Sequence, residues 1–131
     1  MKTLLAVAAV LLIPTASASA FTAFTSPSGN IGCYVDSGTV RCDIRAKDWP
    51  TPKRPKSCEL DYGQGVTLGK TGRARYICAG DTALGNGRPL AYGKTLRSGK
   101  LLCKSLTSGM RCTNTSTHHG FVLSRELVDL F

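Results

Sequence analysis

The sequence predicts an all-β fold, a small disulfide-stapled sandwich or barrel of short antiparallel strands. Three observations support this prediction. Six cysteines occur at paired spacings in a chain of 131 residues, 14 residues are glycine, and one hairpin-like pattern occurs twice. Short runs of alternating apolar and polar side chains between glycine-containing turns are typical of β-strands. The length fits one domain of ordinary size.

Residues 1–20 have the organisation of a secretory signal peptide, which leaves residues 21–131 as the single domain. Lys2 supplies the positive charge, residues 4–13 are continuously apolar, and Ala18-Ser19-Ala20 has the small-x-small pattern of a cleavage site. We expect cleavage after this pattern and a periplasmic or secreted protein. The competing interpretation is an apolar anchor that stays attached, although the apolar run is shorter than the roughly 20 residues of a membrane span.

All six cysteines lie after the signal peptide, and the cysteines of an exported chain are usually paired. Two pairs have the same spacing, with eight residues between the partners, and the remaining two cysteines make a third pair. A zinc site is the competing interpretation, but the chain has no C-x-x-C motif and only two histidines. The spacing therefore predicts the disulfides Cys33–Cys42, Cys103–Cys112 and Cys58–Cys78.

Hairpin geometry supports the first of these pairs. A two-residue turn at Ser37-Gly38 places Cys33 directly opposite Cys42. Alternation from the turn makes this a non-hydrogen-bonded pair, whose Cα atoms lie close enough for a disulfide. In the second hairpin the glycine, Gly109, comes one position later, which predicts a different turn with a glycine bulge.

The two hairpins belong to a longer internal repeat. Residues 28–42 and 98–112 both read Ser-Gly-x-apolar-x-Cys, then a glycine turn, then apolar-Arg-Cys. This pattern predicts a duplicated or pseudo-symmetric β scaffold. Chance similarity between two cystine hairpins is the alternative.

The remaining segments also suit a β protein. The prolines of residues 48–56 exclude a central strand and predict an extended surface crossing. Ser124 is placed to cap a short C-terminal helix from Arg125 to Leu130. Short strands are predicted at residues 65–68, 73–78, 90–92 and 121–123, the last of these being the final strand.

Several joined motifs resemble one known family. They include residues 24–33, 40–44, 78–82 and 120–125. Together they are similar to a family of small exported bacterial proteins, found in actinobacteria and alphaproteobacteria and known only as a domain of unknown function. The resemblance covers about residues 21–127. It implies export and paired cysteines, and it supplies no activity and no catalytic residues.

The candidate catalytic residues are His119, His118 and Asp81. A hydrolase acting on an anionic polymer would use His119 as the base and a carboxylate, such as that of Asp81, Glu59 or Glu126, as the second group. A loop histidine pair and an Asx-type turn are the competing interpretations. The sequence contains no nucleophile elbow, phosphate loop or metal motif, so we expect no cofactor and no metal.

Charge indicates the class of partner. The chain has 17 Lys+Arg and 8 Asp+Glu, which gives a net charge of +9. Lys2 is the only charged side chain that signal cleavage would remove. Arg73 and Arg75 are expected on one strand face, and Lys104 and Arg111 opposite each other across the second hairpin. Such a basic face is suited to an acidic polymer or an acidic protein, with nucleic acid not excluded.

We therefore expect a non-enzymatic, exported or envelope-associated binding module that uses this basic face. The hydrolase is one alternative, and an inhibitor of another exported enzyme is a second. A soluble basic surface without a dedicated ligand is the more common origin of such a charge.

Overall fold

The computed structural model describes residues 2–14 and 21–131. Residues 2–14 contain no helix or strand. Among the described residues there is no helix with the length and apolar character of a membrane span. The predicted cleavage pattern Ala18-Ser19-Ala20 lies outside the described residues. The described residues form no α-helix, and the all-β prediction is confirmed.

The strands form two antiparallel meanders of five consecutive strands each. The N-terminal sheet has the order β5-β4-β3-β2-β1-β6, in which the two-residue β6 pairs in parallel with β1, and the C-terminal sheet has the order β11-β10-β9-β8-β7. The described strands are β1 (Thr22–Thr25), β2 (Ile31–Asp36), β3 (Thr39–Ile44), β4 (Tyr62–Leu68), β5 (Arg75–Cys78), β6 (Arg88–Pro89), β7 (Thr95–Ser98), β8 (Leu101–Leu106), β9 (Gly109–Asn114), β10 (Gly120–Leu123) and β11 (Val128–Leu130).

The sequence repeat corresponds to the centre of each sheet. The β2–β3 hairpin pairs Cys33 with Cys42, and the β8–β9 hairpin pairs Cys103 with Cys112. Each cystine has a Cα–Cα distance of 4.1 Å, which suits the close, non-hydrogen-bonded position predicted for the first hairpin. Two similar cystine hairpins are therefore confirmed, each with at least one further strand on either side.

The core lies between the inner faces of the two sheets. Both hairpin cystines are fully buried within it. Around them pack side chains from the alternate positions of each strand, as expected for a half-buried strand. The largest fully buried apolar side chains are Phe121, Leu68, Met110, Leu123, Val35, Val40 and Val66. The third disulfide, Cys58–Cys78, ties the proline-rich crossing to β5 outside this cluster.

The predicted C-terminal helix is absent, and β11 pairs with β10 in its place. Ser124 Oγ does accept the Leu127 N–H at 3.0 Å, as a helix cap would, but the chain then turns into a strand. Val128 and Leu130 pack against the core while Asp129 between them is exposed. This period of two belongs to a strand and not to a helix.

Three smaller expectations are also corrected. Residues 90–92 form no strand, because the pairing with β1 is made by Arg88 and Pro89. The strand at residues 121–123 is followed by β11. The second hairpin contains no bulge: its register runs unbroken from Leu106 opposite Gly109. Its turn does differ, since Gly109 has a φ of 135° after the turn, whereas Ser37 and Gly38 have positive φ within the first turn.

Candidate functional site

The exposed face of the C-terminal sheet carries a pair of cations at its centre. Lys104 on β8 lies directly opposite Arg111 on β9, as the sequence predicts. Both side chains are exposed. Each is adjacent in sequence to a cysteine of the buried Cys103–Cys112 bridge, and neighbouring residues of a strand point to opposite faces. The disulfide therefore fixes the position of the two cations, which we call the hairpin cation pair.

Phe131 positions one member of this pair. Its ring lies 4.9 Å from the guanidinium carbon of Arg111, a cation–π contact. Phe131 is held by two backbone hydrogen bonds to Gly120, each of 2.9 Å. A Cβ atom on Gly120 would collide with the Cys112 carbonyl oxygen and lie 2.9 Å from the Phe131 ring, so this glycine accommodates both the neighbouring strand and the aromatic side chain.

Further polar side chains extend the surface. One row of side chains crosses the outer face from strand to strand, each residue opposite the next. In order, this row contains Thr95, Lys104, Arg111, Val122 and Asp129. Arg97 and Thr113 occupy the adjacent row, on either side of Leu102. Arg97 is exposed. Three cations and two hydroxyls thus share this face with one carboxylate.

The hairpin cation pair makes no ion pair with a carboxylate among residues 2–14 and 21–131. Within those residues the ion pairs involve Arg41, with Asp43 and Asp81, and Arg125, with Asp48. Cations without a carboxylate partner give this face a positive potential that attracts anionic ligands.

The N-terminal sheet has an arginine at the equivalent position of the repeat, but its environment is the opposite. Arg41 is 5% exposed and Asp43, two residues further along β3, is 1% exposed. Arg41 Nε and Nη2 donate to the two carboxylate oxygens of Asp43 at 2.9 and 2.8 Å. Arg41 Nη1 donates to Asp81 Oδ1 at 2.8 Å, and Nη2 donates to the Asp81 carbonyl at 3.0 Å. This arginine therefore makes four hydrogen bonds within the protein.

The segment at residues 79–87 covers this buried arginine. The Ala83 N–H donates to Asp43 Oδ2 at 3.0 Å, which joins the segment to the sheet. A Cβ atom on Gly32 would come within 2.5 Å of the Ala83 carbonyl oxygen, so the segment can approach only a glycine here. The outer face of the N-terminal sheet is therefore covered at its centre.

The pKa values reflect this network. Burial alone would lower the pKa of Arg41, but its hydrogen bonds to Asp43 and Asp81 outweigh burial and raise that pKa above its ordinary value. The hydrogen bond from Arg41, together with the attraction of its charge, lowers the pKa of Asp81. Asp81 is consequently ionised at neutral pH and is a poor proton donor there.

The other two predicted basic residues do not join the hairpin cation pair. Arg75 lies on the outer face of the N-terminal sheet, opposite Thr67. Arg73 lies before β5 and its Nη2 donates to the Leu130 carbonyl at 3.1 Å, which connects the edges of the two sheets. The four residues expected on the basic face are thus separated: Lys104 and Arg111 lie on the C-terminal sheet, Arg75 lies on the N-terminal sheet, and Arg73 lies between the sheet edges.

The two histidines lie in the turn between β9 and β10. His118 has a φ of 64°, and its N–H donates to the Asn114 carbonyl at 2.8 Å. Asn114 Oδ1 accepts the N–H groups of Ser116 and Thr117. Across residues 2–14 and 21–131, no carboxylate is hydrogen-bonded to either imidazole ring. A catalytic role for His118, His119 or Asp81 stays a prediction.

Sequence reasoning missed two parts of the site. The Arg41–Asp43–Asp81 network was not predicted, although Arg41 occupies the position that Arg111 occupies in the second copy. The role of Phe131 was also missed, because the residues before it have the signal of a helix. The spacing of Asp43, two residues after Arg41, is the signal that could have indicated a shared strand face.

The fold and the site define a disulfide-stabilised protein of two β-meanders with one covered and one open face. The chain belongs to a family described as a family of unknown function, DUF6636, whose sequence profile matches residues 3–131. This membership confirms the resemblance found in the sequence, while the range of organisms stays a prediction. No curated protein and no solved structure matches the chain. All six cysteines are in disulfides, which indicates an oxidising environment.

Proposed function

We propose that this protein is an exported, non-enzymatic module that binds an acidic polymer through the outer face of its C-terminal sheet. One observation carries the proposal. Of two arginines at equivalent positions in the repeat, Arg41 is neutralised by Asp43 and Asp81, whereas Arg111 is exposed beside Lys104 without a carboxylate partner among the described residues.

The surface is suited to a ligand that presents anionic groups at intervals. Arg97, Lys104 and Arg111 lie on three adjacent strands, and Thr95 and Thr113 stand beside them as hydroxyl donors. Guanidinium and ammonium groups form their strongest hydrogen bonds with carboxylate, sulfate and phosphate oxygens. A polymer with repeated anionic groups can contact the cations of all three strands at once.

Export is supported by the leader-like residues 1–20 and by the three disulfides. Disulfides persist outside the reducing cytosol. The proposed polymer would accordingly be a component of the envelope or of the surroundings of the cell.

Charge reversal at the hairpin cation pair tests the proposal. The oxidised protein is titrated with heparin, polyphosphate and a single-stranded RNA at low and at high salt, and each polymer is checked for cleavage. The variant Lys104→Glu/Arg111→Glu should bind at least ten-fold more weakly. The slope of log K against log salt should fall by about one to two for RNA, because two cations no longer release counterions.

The control is Lys53→Glu/Arg54→Glu, which makes the same change of charge on the proline-rich crossing. It should reduce affinity by less than about three-fold, through the long-range field alone. Equal losses in the two variants would overturn the proposal, since they would show that only the total charge matters. The three polymers distinguish sulfate, phosphate and nucleic-acid ligands. Cleavage of any polymer that depends on His119 would support the hydrolase instead.

A further inference from the structure

A cavity of about 340 Å³ opens at one end of the sandwich, between the two copies of the repeat. Its apolar floor contains Ile31 from the start of β2 and Met110 from β9, both buried. The cavity is of the size at which ligand pockets begin, with room for about one ring-sized molecule. It does not involve the hairpin cation pair, because Lys104 faces the opposite side of its strand from the cavity residue Ser105.

The hydroxyl of Ser105 is the decisive feature of this cavity. Ser105 is 1% exposed, and its Oγ has no hydrogen-bond partner among the described residues. A buried hydroxyl without a hydrogen bond destabilises the protein, and most buried polar groups in native proteins have a hydrogen-bond partner. The neighbouring cavity serines are already engaged, since Ser26 Oγ accepts the Ile31 N–H and Ser124 Oγ accepts the Leu127 N–H, each at 3.0 Å.

Tyr92 lines the same cavity, and the two residues that follow it are hydrogen-bonded to the backbone of Ser105. The Gly93 N–H donates to the Ser105 carbonyl at 2.7 Å, and the Ser105 N–H donates to the Lys94 carbonyl at 3.0 Å. The Tyr92 side chain is nevertheless 53% exposed. A large aromatic ring that is open to solvent provides a flat apolar surface with a hydroxyl at its end.

The rim carries one cation and one anion. Arg125 and Glu126 both line the cavity, and Arg125 is already paired with Asp48 at 3.6 Å, so it is not a free cation for an anionic ligand. The remaining polar groups are mainly hydroxyls, which both donate and accept hydrogen bonds. Such a lining selects an uncharged ligand that carries its own hydroxyl groups and one flat apolar face.

We infer that this cavity binds an uncharged sugar residue, with Ser105 Oγ hydrogen-bonded to a sugar hydroxyl and the Tyr92 ring against the sugar's apolar face. The site is independent of the proposed polymer surface. It lies between the inner faces of the two sheets at their open end, whereas the hairpin cation pair lies outside the C-terminal sheet.

Amide chemical shifts of the ¹⁵N-labelled, oxidised protein test this inference. The probes are glucose and N-acetylglucosamine as neutral sugars, with glucuronate and inorganic phosphate as charged ones. A neutral sugar should shift the amide signals of Ser105, Gly93 and Met110 in a saturable way. The variant Ser105→Ala should weaken this binding about three- to ten-fold, which corresponds to one hydrogen bond.

Ser108→Ala is the matched control, because Ser108 is exposed in the same hairpin and does not line the cavity. It should leave the sugar affinity unchanged, as should Lys104→Glu/Arg111→Glu. Absence of saturable shifts with both neutral sugars would overturn the inference. So would stronger shifts with glucuronate or phosphate, or a Ser105→Ala variant that binds sugar normally or loses thermal stability, since the hydroxyl would then serve another purpose.

Discussion

The two sheets of this protein contain similar cystine hairpins, but the arginine of each hairpin has a different environment. In the N-terminal sheet, the arginine next to the cystine is buried under residues 79–87 and paired with Asp43 and Asp81. In the C-terminal sheet, the equivalent Arg111 is exposed and contacts the Phe131 ring. One residue type at one position thus stabilises the fold in one copy and remains available to a ligand in the other.

The difference comes from the chain segment that lies after each meander. After β5 a loop returns across the outer face of the N-terminal sheet, and its Ala83 N–H is bound by Asp43. After β11 the ring of Phe131 turns onto the outer face of the C-terminal sheet, where it covers only one side of Arg111. Gly65 and Gly120 are equivalent positions beside the two hairpins. A Cβ atom on either glycine would collide with a cystine carbonyl oxygen, that of Cys42 or Cys112, and the second neighbour is Asp43 for Gly65 but the Phe131 ring for Gly120.

The largest expected effect is at Asp43. Asp43→Ala leaves Arg41 buried without its main partner, which should lower the free energy of unfolding by about 3–5 kcal/mol. Thr113→Ala, at the equivalent position of the exposed sheet, should cost less than about 1 kcal/mol, because its weak hydroxyl contact with the Leu102 carbonyl is readily replaced by water. Urea denaturation measures the free energy of unfolding of both variants. Equal costs would show that the two outer faces are energetically alike after all.

The two hairpin cystines should behave alike. Each closes a loop with a sequence separation of 9, and each is fully buried. On the chain-entropy account, Cys33→Ala/Cys42→Ala and Cys103→Ala/Cys112→Ala should each cost about 2.5–3 kcal/mol. Urea denaturation of the two double variants under the same conditions measures the loss of unfolding free energy in each. A difference larger than about 2 kcal/mol would mean that the copies do not contribute equally to the core.

The smallest effect concerns pH and is confined to the N-terminal sheet. Asp81 has a folded-state pKa below its unfolded value of about 3.9, because Arg41 binds its ionised form. Its contribution to stability is therefore present above about pH 4 and is lost as the pH falls through the lower folded-state value. Wild type should be more stable than Asp81→Asn at about pH 6, and the difference should shrink progressively as the pH falls below about 4. A difference that persists in acid would contradict this account.

Local features were predictable because hairpin geometry depends on few residues. The register that places Cys33 opposite Cys42 is set by the Ser37-Gly38 turn and the alternation of strand residues. The same reasoning put Lys104 opposite Arg111. It failed at the C-terminus, where Ser124 carries the signal of a helix cap but the exposed edge of β10 offers backbone partners to a strand.

The sequence by itself determined the cysteine pairing, the repeat and the all-β class, since these depend on residue spacings and local alternation. Only the tertiary structure decided which arginine is buried, because Asp81 approaches Arg41 from 40 residues further along the chain. It also decided that Arg75 and the hairpin cation pair lie on different sheets, and that Ser105 faces a cavity. Each of these depends on how distant segments pack, which local sequence patterns do not encode.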